Sequence, residues 1–133
     1  MSIGGVQQLP MFQPGLFETG AGGPWLLGGR CRKCGRTFYP RAARCLDCLA
    51  GDIEPTRLSR DGRLECFTTV HMPSLRIAPP YCVGYVRLPE GLRVFAPIAA
   101  AGHALAVGMA MKLAEYRLGR EPDESLAYCF VPV

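Results

Sequence analysis

From about residue 53 onward, apolar and polar side chains alternate in short runs separated by turn-forming residues, the signature of a small all-β unit. Thr56-Arg57-Leu58-Ser59 runs into Asp61-Gly62, a tight-turn pair whose glycine tolerates the positive φ of a hairpin loop. Leu64-Glu65-Cys66-Phe67-Thr68-Thr69-Val70 then reads as the return strand. Pro73, Pro79 and Pro80 interrupt the next stretch, so residues 72–80 are expected to form a loop. Tyr81-Cys82-Val83-Gly84-Tyr85-Val86-Arg87-Leu88 is a further strand, turned at Pro89-Glu90-Gly91 into Leu92-Arg93-Val94-Phe95-Ala96. Residues 99–106 are rich in alanine and fit either a short helix or a loop. Beyond Gly108, Met109, Met111 and Leu113 alternate with Ala110, Lys112 and Ala114, and Tyr128-Cys129-Phe130-Val131 reads as a closing strand. Residues 119–125 between them are polar and read as an exposed loop. Five or six strands of this kind suit a small closed barrel, of the OB-fold or the SH3-like type.

The first 29 residues carry a different pattern. Glycine and proline recur from Pro10 to Gly29 and leave little scope for local structure. The same stretch holds Met11, Phe12, Leu16, Phe17, Trp25, Leu26 and Leu27. Such side chains gain roughly 25 cal/mol for each Å² of apolar surface removed from water, so something must cover them. Two covers fit, the chain's own core or a partner surface, and on the second Phe12, Phe17 and Trp25 are the contact candidates.

Between arm and barrel lies a cysteine segment, Cys31-Arg32-Lys33-Cys34-Gly35, then nine residues, then Cys45-Leu46-Asp47-Cys48. Each C-x2-C lets one tight turn aim two sulfurs at a common point, and two such turns complete the tetrahedral S4 shell that zinc favours. Gly35 stands where a knuckle needs an unhindered backbone. A redox dithiol, an iron–sulfur cluster and unliganded thiols are the rival readings. A redox C-x2-C belongs to a βαβ setting and needs no second copy. Four thiolates also fill the shell, so the metal is read as structural and not catalytic. The chain thus divides into an arm over residues 1–29, a zinc ribbon over 30–52 and a β-domain over 53–133.

Composition narrows the functional classes. An apolar share of 49% with 20% charged residues belongs to a chain that folds around a core. The longest weakly charged run, residues 94–111, is broken by Pro97, Gly102, His103 and Gly108, so no membrane span is expected. The start has no basic residue followed by an apolar core, and a cytoplasmic chain with reduced thiols is expected. Cys66, Cys82 and Cys129 read as small core hydrophobes. The formal charge is +4; four thiolates around one dication lower it to about +2, too little to argue for nucleic acid by charge. His71 and His103 stand in no catalytic motif, and Glu65, Glu90 and Glu115 are scattered. No catalytic residue is assigned, and a self-sufficient enzyme is not expected.

The run Gly28-Gly29-Arg30-Cys31-Arg32-Lys33-Cys34-Gly35-Arg36-Thr37-Phe38-Tyr39-Pro40-Arg41, with Cys45 and Cys48 after it, resembles the rubredoxin-like zinc ribbon of the zinc-ribbon/OB-fold acyl-CoA-associated family, domain of unknown function thirty-five. The likeness continues through Gly62-Arg63-Leu64, Thr68-Thr69-Val70-His71, Pro79-Pro80-Tyr81, Gly84-Tyr85-Val86 and residues 88–97, and ends at Phe130-Val131-Pro132. Many members begin with an amphipathic helix, against which residues 20–29 argue here. The resemblance implies a mainly β chain, a ribbon followed by an OB-fold barrel. It also implies an accessory subunit of a hetero-oligomer with a thiolase-like or aldolase-like enzyme, in degradation of an aromatic or steroid-like compound. The partner would supply the catalytic groups, while this chain helps to enclose a CoA thioester. Arg76, Pro79, Pro80 and Tyr81 would form a stiff lip for that ligand, and Arg87 and Arg93 are further candidates for its phosphates. An enoyl-CoA hydratase complex is one alternative. A single-stranded nucleic-acid module is another, disfavoured by a chain with only Lys33 and Lys112 as lysines.

Overall fold

The structure, a computed structural model, describes residues 15–20, 22–73, 77–118 and 125–133, and every regular element among them is a β-strand. The first four are β1 (Phe17–Glu18), β2 (Trp25–Cys31), β3 (Thr37–Phe38) and β4 (Ile53–Arg57), joined in one sheet through β2. The next five are β5 (Asp61–Val70), β6 (Tyr81–Arg87), β7 (Arg93–Ile98), β8 (Ala110–Leu118) and β9 (Ser125–Pro132). These close into a barrel in the order β5-β6-β7-β9-β8. Its pairs are antiparallel except β7 with β9, which meet in parallel at Ile98 and Phe130. A five-stranded circuit with the last two strands exchanged is the OB-fold arrangement and decides between the two barrel types.

The barrel strands form where alternation expects them. In β6 and β7, Val86, Val94, Ala96 and Ile98 point inward, while Arg87, Arg93 and Phe95 face out. In β8, Met111 and Leu113 are buried on either side of an exposed Lys112. Residues 99–106, which the sequence left open between helix and loop, hold a turn and irregular backbone and no helix.

Three local expectations are corrected. Asp61-Gly62 is not a hairpin turn: β4 pairs with β2, and Gly62 lies inside β5 opposite Met111. A Cβ on Gly62 would stand 2.6 Å from the Arg87 carbonyl oxygen and 2.7 Å from Val86 Cγ1. Glycine serves close packing there, not a turn. The described part of the arm is also ordered, since Phe17 pairs with Leu26 and Glu18 with Trp25. Neighbouring strands on β2 outweigh the low strand propensity of its glycines. Finally, Cys66 is exposed and Cys82 half-buried, while Cys129 is fully buried. A bulge between Leu64 and Cys66 shifts the alternation of β5 and turns Cys66 outward beside Tyr85.

One core serves both sheets. Phe17, Leu26 and Leu58 pack in a single cluster with barrel residues such as Leu64, Val86, Ile98, Met111 and Phe130. A ribbon of this size cannot own a core, and it borrows the barrel's. Phe130, at the parallel junction, is wholly inaccessible and contributes about 3 kcal/mol by burial.

Candidate functional site

The end of β2 delivers Cys31, and β3 folds back on β2 to hold the first knuckle. Within it Gly35 N–H donates to the Cys31 carbonyl at 2.8 Å. The second knuckle repeats the pattern, Leu49 N–H donating to the Cys45 carbonyl at 3.1 Å. Gly35 has φ 81°, and Leu49, at the same place after its own C-x2-C, has φ 63°. Both turns need the left-handed region, which is free for glycine and costs leucine backbone strain.

The four sulfurs of Cys31, Cys34, Cys45 and Cys48 lie within 4.8 Å of one another. Cys31 and Cys48 are 3.5 Å apart, as are Cys34 and Cys45. Sulfurs bound tetrahedrally to zinc stand about 3.8 Å from each other. Backbone amides point at the sulfurs as well, Cys34 N–H to Cys31 Sγ at 3.5 Å and Asp47 N–H to Cys45 Sγ at 3.4 Å. Amides of Cys48 and Asp47 bring the Cys45 thiol down to about 7, and the amide of Cys34 lowers Cys31. At Cys34 the amide of Arg36 pulls downward, but the thiol of Cys45, burial and the other two thiols push it up to about 12. Four sulfurs this close cannot all ionise unaided, and a dication in their midst removes the conflict. The donor set fits one zinc ion with a complete sulfur shell. Outside it, Arg36 and Asp47 pair across the two knuckles, and Arg32 meets Asp52 at 2.8 Å.

Other residues singled out in the sequence are spread over the surface and the core. Pro79 and Pro80 are exposed and Tyr81, the first residue of β6, is half-buried; Arg76 and Phe12 lie outside the described residues. Pro80 and Tyr81, with Ile77, Ile98 and the Ala99-Ala100-Ala101 run, line an open groove of about 470 Å³ at one end of the barrel. The alanine wall was not foreseen, since nothing but small size marks those residues. Phe17 is 2% exposed and meets Tyr128 edge-on at 5.6 Å, so its ring is covered within the chain rather than offered to a partner. Trp25 lies under the Arg57 guanidinium at 4.3 Å, and Arg57 pairs with Glu18. Arg87 and Arg93 share Glu65, at 2.7 and 3.7 Å, and Arg87 foremost holds that carboxyl below its ordinary range. His71 is exposed just past β5, and His103 Nδ1 lies 3.1 Å from the Ala100 carbonyl of its own loop.

Comparison with known proteins matches a ribbon model and a barrel model in succession. The family model described as "ChsH2, rubredoxin-like zinc ribbon domain" matches residues 26–54, and "ChsH2, C-terminal OB-fold domain" matches residues 55–116. The benzoylsuccinyl-CoA thiolase subunit BbsA of Thauera aromatica is 38% identical over 92 residues, 68% of this chain and 64% of that protein. BbsA of Geobacter metallireducens is 36% identical over 92 residues, 68% of this chain and 62% of that protein. The chain therefore spans a little under two thirds of the length of these relatives. A DUF35 domain-containing scaffold protein of Methanothermobacter thermautotrophicus is 33% identical over 76 residues, 55% of this chain and 57% of that one. Among solved structures, a chain of the Ltp2-ChsH2(DUF35) aldolase shares the fold with TM-score 0.65 at 24% identity, covering 81% of this chain and 84% of its own.

Proposed function

Because this chain belongs to the zinc-ribbon/OB-fold family, known as DUF35, whose two domain models it matches in succession, we propose that it is the noncatalytic subunit of a thiolase-type or aldolase-type acyl-CoA enzyme. The observation that carries the reading is the 38% identity to a thiolase subunit over 92 residues. In this reading Cys31, Cys34, Cys45 and Cys48 hold one structural zinc ion, and the nucleophile and acid–base groups come from the catalytic chain. The groove beside Pro80 and Tyr81 covers part of a CoA thioester, its apolar wall suited to a flexible pantetheine arm. The complex works in the cytoplasm on an aromatic or steroid-like acyl group. Among the described residues no helix is long and apolar enough to cross a membrane.

Co-expression with a thiolase-like catalytic chain of the same genome tests this. Co-elution of the two in one zinc-containing species supports it, and separate elution at micromolar concentration contradicts it. One observation favours a second reading: Tyr85 and Phe95 pair at 5.2 Å on the outer face of β6 and β7, with Arg93 over Tyr85 at 4.8 Å. That is a stacking platform for single-stranded nucleic acid, and salt-sensitive binding of an oligonucleotide to the isolated chain would support it.

A further inference from the structure

Partway along its length, β5 loses one of its two neighbours. On one side β6 pairs with it from Arg63 to Val70. On the other, β8 pairs only with Asp61, Gly62 and Arg63. The last backbone bonds on that side join Leu64 to Met109 and to Gly108, at 3.0 and 2.7 Å. Over residues 66–70, no described strand occupies this edge. Cys66, Phe67, Thr68 and Thr69 are successive and all exposed, so both faces of the strand are in water. Among the described residues, the far half of β5 therefore keeps β6 on one side, itself paired with β7, and leaves its other edge as a row of N–H and C=O groups open for about 17 Å.

Proteins guard such an edge with lysine, proline or an inward charge. Residues 66–70, Cys-Phe-Thr-Thr-Val, include none of these and are rich in β-branched and aromatic side chains. An unguarded edge of that composition recognises an extended peptide strand, main chain to main chain. Its position selects the occupant. Val70 faces Tyr81 across the hairpin, and Tyr81 lines the groove at that end of the barrel. A strand laid on the edge would bring its owner beside the groove.

We propose that the free edge of β5 over residues 66–70 is a strand-addition site, onto which an extended, uncharged segment of the catalytic subunit pairs. This rests on the accessory-subunit reading. It adds the surface used and the form of the recognised segment.

Residue-resolved amide exchange of the isolated chain and of its complex with the co-expressed thiolase-like subunit tests it. In the isolated chain, those amides of residues 66–70 that do not face β6 exchange fast. In the complex they slow about a hundredfold, completing an unbroken protected strand. Thr68→Lys, at an exposed position, weakens the complex about tenfold while the thermal midpoint of the isolated chain stays in place. If that variant does not fold, the exchange pattern of the unaltered chain decides alone. A complex in which these amides still exchange fast overturns the inference and leaves the accessory role standing. Slow, concentration-dependent exchange in the isolated chain means that two copies pair with each other, and also overturns it. Failure to form any complex overturns the accessory role and this inference together.

Discussion

The phenol of Tyr39, in the turn after β3, donates a hydrogen bond to that of Tyr128 on β9 at 3.1 Å. Their rings meet edge-on at 6.3 Å, and Phe17 packs against Tyr128 at 5.6 Å. The three residues come from the ribbon, the barrel and the arm, and they form a seam along which the zinc-holding unit is fixed to the barrel. Desolvation raises the pKa of both phenols, at Tyr39 assisted by Tyr128.

Removing one hydroxyl of the pair strands the other in a largely dry place. Tyr39→Phe and Tyr128→Phe are each expected to cost about 1–2 kcal/mol, and the double variant clearly less than the sum. Urea denaturation of the four zinc-loaded proteins checks this, and strictly additive losses would contradict the seam.

The same burial sets an alkaline limit. An unfolded phenol ionises near its ordinary value of 10, whereas both phenols keep their protons to higher pH in the folded chain. Above about pH 10 the unfolded state therefore binds fewer protons, and stability falls as pH rises; below it the pair contributes no slope. Cys129, pushed up to about 12 by burial, adds a loss of the same sign from its own ordinary value upward. Denaturation midpoints between about pH 8 and about pH 11 should fall, and less steeply in the double phenylalanine variant.

Gly62 makes a sharper test of how the barrel closes. Any Cβ there meets the Arg87 carbonyl at 2.6 Å, a backbone atom that cannot rotate away. Gly62→Ala is expected to destabilise the chain by about 3 kcal/mol, lowering the thermal midpoint by about 10 °C. A hairpin-turn glycine would behave differently, with loss set by φ and little by volume.

That position also shows where sequence reading stops. The two C-x2-C pairs, the β6–β7 hairpin and the alternation of β8 were legible because each is governed by local spacing. Asp61-Gly62 misled because a glycine demanded by a close neighbour looks the same as one demanded by a turn. That neighbour, Arg87, is 25 residues away in the chain. The strand at Trp25–Cys31 was hidden by glycines whose partners lie in β3 and β4. Cys66 was assigned to the core because a bulge has no sequence marker. The groove's alanine wall and the open edge of β5 are likewise set by tertiary neighbours, not by local pattern.

The shared core ties metal to fold. Chelation should release one zinc ion per chain and lower the thermal midpoint by at least about 10 °C, because Tyr39 of the ribbon packs on the cluster that Phe17, Leu26 and Leu58 form with the barrel. Cys34→Ser should prevent stable loading, measured as zinc content after gel filtration. Full stability without metal would contradict the assignment of the four sulfurs.

On the proposed role, this chain supports chemistry performed by another polypeptide. The direct measurement is turnover of an acyl-CoA thioester by the zinc-loaded chain alone, by the catalytic subunit alone and by the two combined. No turnover is expected from this chain alone and the highest rate from the combination; turnover by this chain alone would show that it carries catalytic groups of its own.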